Sequence, residues 1–109
     1  MSIEKTGLSK ANIIEIVLFT QRFTAIDKVI LFGSRAKGTH KVGSDVDLAI
    51  SGSAVSYAII NELSYLLNEE STLPYYFDLI NIDTINSSSL LAHIKEYGMN
   101  LSTLSQCFP

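Results

Sequence analysis

The apolar residues of this chain change their period along its length. Between Lys10 and about Phe23 they recur three and four apart, the spacing of a helix, and Ser9 stands where an N-cap belongs. Lys28 to Phe32 (Lys-Val-Ile-Leu-Phe) is a short β-rich run that stops abruptly at Gly33. Thr39 to Ser44 carries turn chemistry, with Gly38 and Gly43 near its two ends. Asp45 to Ser51 then alternates: Val46, Leu48 and Ile50 point one way, Asp45, Asp47 and Ala49 the other. Gly52 and Ser53 lead into a second helix over Ala54 to Glu69, striped by Val55, Ile59, Leu63, Leu66 and Leu67. Pro74 precedes a third strand, Tyr75 to Ile82, and a last helix spans Ser88 to Tyr97, with Gly98 placed to end it. The predicted order is α-β-β-α-β-α. It describes an α+β fold, a small mixed β-sheet packed against helices, in one domain covering residues 1–109.

The first helix has more apolar surface than one core face requires. Ile13, Ile14, Val17 and Leu18 make one face, and Ile16, Phe19 and Phe23 make another, with Phe19 set among the polar Asn12, Glu15 and Arg22. The second stripe is expected either to lie under a later helix or to form a docking surface for another chain.

Composition narrows the setting. At 109 residues and 47% hydrophobic content the chain can bury a core, and a charged fraction of 17% excludes a disordered tail. A net charge of −3 argues against direct binding to long nucleic acids. The notable cations, Arg35, Lys37 and Lys41, form a local set better suited to a small anion. Met1 to Lys10 lacks the apolar core of a signal peptide, and polar residues interrupt the first apolar stretch, so no membrane segment is expected. The lone Cys107 allows no internal disulfide and reads as an inert thiol. A cytoplasmic location follows as the expectation.

The chemistry concentrates in Gly33-Ser34-Arg35-Ala36-Lys37-Gly38, followed after six residues by Asp45-Val46-Asp47. Carboxylates two apart on a strand project from the same face, and two such charges repel unless a cation lies between them. Hard oxygen ligands suit Mg²⁺, which keeps several waters and shares its shell with substrate phosphates. A Gly-Ser turn at the end of a strand offers backbone N–H groups and a hydroxyl to a phosphate. Each piece alone is weak, since Gly-Ser marks many loops and an Asp-x-Asp pair is often only solvated. Together, at this spacing, they are expected by chance in roughly one chain in a thousand of this length, so the spacing carries the signal.

The run Leu31-Phe32-Gly33-Ser34-Arg35-Ala36-Lys37-Gly38, continued by Ser44-Asp45-Val46-Asp47-Leu48, closely resembles the active-site motif of the polymerase-β-like nucleotidyltransferases. Within that superfamily it is most similar to the minimal nucleotidyltransferases (MNT proteins) that pair with HEPN-domain partners. The resemblance implies that Gly33 and Ser34 hold the triphosphate and that Asp45 and Asp47 bind metal. It also implies a third carboxylate from a later strand, and Asp78 in Phe77-Asp78-Leu79-Ile80 occupies the matching position. As an acid inside an apolar strand, Asp78 is costly if buried without a partner. The three acids imply two Mg²⁺ ions and in-line attack by an acceptor hydroxyl on the α-phosphate. Arg35 and Lys37 are further candidates to steady phosphate charge.

The activity implied is transfer of AMP from ATP to a tyrosine of a HEPN-type helical toxin encoded nearby, with this chain as its antitoxin. Two alternatives differ in kind. One is a non-catalytic nucleotide-binding partner that neutralises by contact alone. The other is a transferase acting on a small molecule with a separate acceptor-binding subunit. Intact Asp45, Asp47 and Asp78 favour catalysis, because idle clustered carboxylates only destabilise a fold. Two histidines complete the inventory: His40 in the turn between the motif strands, and His93, read as structural, on the last helix.

Overall fold

A computed structural model describes residues 3–106, so Cys107 lies outside the described residues. A single 3₁₀ turn, Glu4–Thr6, precedes helix α1, Lys10–Thr20. Ser9 caps α1 as expected: its hydroxyl accepts from the Asn12 N–H at 3.0 Å, and the Asn12 side chain accepts from the Ser9 N–H at 3.1 Å. Asn12 thus fills the place that Glu or Gln takes in the common capping box. The helix ends before Phe23, where Thr20 turns its hydroxyl back onto the Val17 carbonyl.

Strand β1 is Lys28–Phe32, helix α2 the five residues Gly33–Lys37, and strand β2 Val46–Ser51. Helix α3, Tyr57–Tyr65, is capped by Ser56 and runs on as a π turn, Leu66–Glu70. Strand β3 is Phe77–Asn81, and a 3₁₀ turn at Ile82–Thr84 leads to helix α4, Ser88–Tyr97. A two-residue strand β4, Met99–Asn100, and helix α5, Leu101–Ser105, follow. The pattern-based order omitted β4 and α5 and read α2 only as a turn after the first strand. All three span five residues or fewer, too short to carry a readable period.

The sheet has the order β3-β2-β1-β4, with β1 antiparallel to both β2 and β4, and β2 parallel to β3. It is mixed, as expected. Because partners directly opposite share a face, the register divides the strands cleanly. Val29, Leu31, Val46, Leu48, Ile50 and Phe77 face one way and meet Ile13, Ile16, Leu63, Leu67 and Leu101 of the helices in the main core. On the other face Phe32 and Ala49 pack with Ile94 of α4 in a smaller cluster. Helices α1, α3 and α5 therefore cover one face, and α4 covers part of the other.

This layering corrects the reading of α1. Ile16 is fully buried, and Phe19 and Phe23 are half-buried against the main core. Arg22 lies over Phe19, its guanidinium carbon 4.6 Å from the ring centroid. The outward apolar residues are instead Ile14 and Leu18, 39% and 58% exposed, which the pattern had placed on a core face. Of the two expectations for the stripe of Ile16, Phe19 and Phe23, cover within the fold holds and the docking surface does not. Among the described residues no helix is long and apolar enough to cross a membrane.

Candidate active site

Three chain segments meet at one end of the sheet. Strand β1 arrives there at Phe32–Gly33, and the antiparallel β2 and its parallel neighbour β3 both start there. The register sets Phe32 opposite Asp47 and Asp47 opposite Asp78, so all three project from the face that α4 only partly covers. Neighbouring strands lie about 4.8 Å apart, which makes Asp47 and Asp78 adjacent carboxylates. Asp45 precedes β2 and is exposed. Asp78 is exposed too, so it does not carry the cost of a buried, unpartnered acid: β3 is an edge strand, and its acid-bearing face is open at this end.

Asp47 records the crowding. Its pKa is raised from 3.8 to about 6, first by burial, then by the charge of Asp78, then by that of Asp45. Three carboxylates that repel one another form a site fit for a cation, because one divalent ion removes the repulsion. Among the described residues no three His, Cys, Asp or Glu side chains converge into a ready-made metal cage. That is compatible with Mg²⁺, which takes one or two carboxylates and completes its shell with water and substrate phosphate oxygens.

Gly33 makes the close approach possible. Its φ of +77° is a backbone conformation that favours glycine, and a Cβ there would overlap Asp47 Oδ2 and sit 3.0 Å from Cγ. Glycine is needed on both counts. Its N–H donates to His93 Nε2 at 2.9 Å. Ser34, half-buried, is then the next residue of the turn to offer both a backbone N–H and a hydroxyl.

Arg35 has a different place from the one expected. Its side chain is only 3% exposed. Nε and Nη2 donate to the Ser44 carbonyl at 3.2 and 3.0 Å, and Nη1 donates to the Thr6 carbonyl at 2.8 Å. The guanidinium also lies over the Tyr75 ring, 4.8 Å from its centroid. It is engaged in holding the residue before Asp45, so it is not poised for a phosphate. His40 belongs to the packing around Arg35: a Cβ on Gly7 would meet His40 Nε2 at 2.6 Å and Arg35 Nη1 at 2.8 Å. Lys37 is exposed, its Nζ over the Tyr97 ring.

Asn68 is the residue that sequence reasoning missed. It lies in the π turn after α3, a helical irregularity that often marks a functional site. Its side-chain amide accepts from the Phe77 N–H at 2.7 Å and donates to the Phe77 carbonyl at 3.0 Å. It therefore pairs with the edge strand like a further strand and fixes the residue just before Asp78. The nine-residue separation gives no local signal. A cavity of about 520 Å³ opens at the far end of β3 between Val55, Ile60, Leu79 and Ile85. None of Gly33, Ser34, Asp45, Asp47 or Asp78 lines it. The chemistry, and not the size of the hollow, marks the candidate site.

The fold recurs among known proteins. The family model described as polymerase beta, nucleotidyltransferase, matches residues 12–106. The chain belongs to the polymerase beta nucleotidyltransferase family. Several solved structures share its fold. A chain of a toxin–antitoxin crystal structure with AMP-PNP is 25% identical with a TM-score of 0.67, over 86% of this chain and 73% of that one. A chain from the complex of a tri-AMPylated Shewanella oneidensis HEPN toxin with its MNT antitoxin is 21% identical with a TM-score of 0.66, over 86% and 71%. A chain of an MntA–HepT toxin–antitoxin structure is 19% identical with a TM-score of 0.66, over 90% and 78%. No curated protein sequence matches the chain.

Proposed function

We propose that this chain transfers AMP from ATP to a tyrosine hydroxyl of a HEPN-type helical protein, and so acts in the cytoplasm as the antitoxin of that toxin. The observation that carries the reading is the register of Asp47 against Asp78 beside the Gly33-Ser34 turn. The similar solved structures support the partner: they are toxin–antitoxin assemblies, one with AMP-PNP and one with an AMPylated HEPN toxin.

In this reading Ser34 holds the β,γ end of the triphosphate through its amide and hydroxyl, on a turn whose close approach Gly33 permits. Asp45 and Asp47 would hold Mg²⁺, and Asp78 would complete the set for a second ion. Bound Mg²⁺ supplies positive charge that neutralises the phosphate oxygens and the carboxylates together. Asp78, the exposed acid on the edge strand, faces the incoming acceptor and takes the proton from its hydroxyl. The oxygen attacks the α-phosphorus, the bond to the β-phosphate oxygen breaks, and pyrophosphate leaves. Positioning and charge neutralisation do most of the work.

The test is incubation with α-labelled ATP, Mg²⁺ and the helical partner. Label should pass to a partner tyrosine. Asp47→Asn should reduce transfer by about a thousandfold or more with the fold intact, and Asp78→Asn should lower turnover more than ATP affinity. Unchanged transfer by Asp78→Asn would remove it from the acceptor side. Stable association without any label transfer would leave a protein that neutralises by contact alone.

A further inference from the structure

We infer that His93 is a positioning residue for the triphosphate-binding turn, holding the Gly33 peptide so that Ser34 is aimed at the phosphate. The inference rests on the nucleotidyltransferase reading and adds to it a residue from α4, outside the sequence motif.

The first N–H groups of any helix lack partners inside it, and α2 begins at Gly33. The structure satisfies the first of them with His93 Nε2, 2.9 Å away and sixty residues along the chain. A ring nitrogen that accepts carries no proton, so the hydrogen-bond network assigns the His93 proton to Nδ1. The ring itself is fixed on two sides. Phe32 meets it edge-on at 6.2 Å between centroids, and Tyr97 lies tilted against it at 5.2 Å.

Two consequences follow from tying down this one amide. The Gly33 N–H is committed to α4, so the donors left for a phosphate begin at Ser34. The peptide plane between Phe32 and Gly33 is also set, and with it the gap between Gly33 and Asp47, which is too narrow for a Cβ. One acceptor thereby holds the phosphate turn and its spacing from a proposed metal-binding carboxylate. A flat ring without an acceptor keeps the contacts with Phe32 and Tyr97 and loses this control.

Three variants separate positioning from packing. His93→Phe keeps the ring and removes the acceptor. His93→Gln carries an oxygen at the reach of Nε2, whereas His93→Asn carries one only at the reach of Nδ1. Calorimetry with Mg·ATP, melting curves and the Gly33 amide signal in NMR should be read together. The expected result is binding about tenfold weaker for His93→Phe and His93→Asn, with His93→Gln within about threefold of wild type. The Gly33 amide resonance should shift in the Phe and Asn variants and stay near its wild-type position in the Gln variant. Wild-type affinity in His93→Phe would overturn the inference, as would equal losses in Gln and Asn. If His93→Phe fails to fold, the comparison of Gln with Asn decides alone. A wild-type protein that binds no Mg·ATP sinks the nucleotidyltransferase reading and this inference with it. Normal wild-type binding with an indifferent His93 sinks only the inference.

Discussion

The two faces of strands β2 and β3 are built to opposite ends. On one, Val46, Leu48, Ile50 and Phe77 are fully buried under three helices. On the other, starting one residue later on each strand, Asp47 and Asp78 stand side by side, with Asp45 near enough for its charge to act on Asp47. A single step in register moves the chain from the most stabilising environment in the molecule to an electrostatically unfavourable one. The apolar face supplies the stability that lets the acid face keep like charges together without a cation.

The largest stability effect should come from the apolar face. Leu48→Ala should cost about 2–5 kcal/mol, because a fully buried leucine loses its transfer energy and leaves a cavity. Chemical denaturation measures this directly. A cost under 1 kcal/mol would mean the face is packed more loosely than the structure describes.

Asp47→Asn should shift stability the other way. The pKa of Asp47 in the folded protein is about 6, above its ordinary 3.8, so the metal-free folded state holds this proton more tightly than the unfolded chain does. The contribution of this group to stability is therefore full below about pH 4 and is lost as pH rises through about 6. In EDTA at pH 7 the Asn variant should melt above wild type, and the gap should close towards pH 4. Adding Mg²⁺ should raise the wild-type melting temperature and leave the variant unmoved. A variant less stable than wild type in EDTA at pH 7 would show that the carboxylate is stabilised in a way the structure does not contain.

The smallest effects lie on α1 and contrast its two sides. Phe19→Ala should lower the melting temperature by several degrees, since the ring packs on the main core. Leu18→Ser, on the exposed side, should change stability by no more than about 0.5 kcal/mol. Equal effects would mean that the helix is rotated from its described orientation.

How much of this was legible in the sequence depends on whether the signal was local. Strand β1 at Lys28–Phe32 and helix α4 at Ser88–Tyr97 fall where their runs and caps predict. The start of β2 and the pairing of a third acid with the motif followed from alternation and from family resemblance. Helix α3 was expected from Ala54, but Ser56 caps it by accepting from the Ile59 N–H, so the helix begins at Tyr57. The orientation of α1 could not be read, because Ile13, Ile14, Ile16, Val17 and Leu18 present apolar residues almost all round the helix. Only the placement of the core decides between them. The polar residues that hold the site were hidden for a related reason. Arg35 reaches Ser44 and Thr6, Asn68 reaches Phe77, and His93 reaches Gly33, each across the fold from a helix to the segment it steadies. A charged residue inside a phosphate-binding motif invites a role at the phosphate. Burial and two backbone carbonyls give Arg35 a role in holding the loop.

In the function proposed, clustered acids and a glycine-serine turn make one nucleotide site that works through a divalent ion. Calorimetric titration of the wild-type protein with ATP, in Mg²⁺ and again in EDTA, tests it most directly. Binding should be at least about tenfold tighter with Mg²⁺, since the ion shares its shell between the carboxylates and the phosphates. Equal affinity in the two conditions, or tighter binding in EDTA, would contradict it.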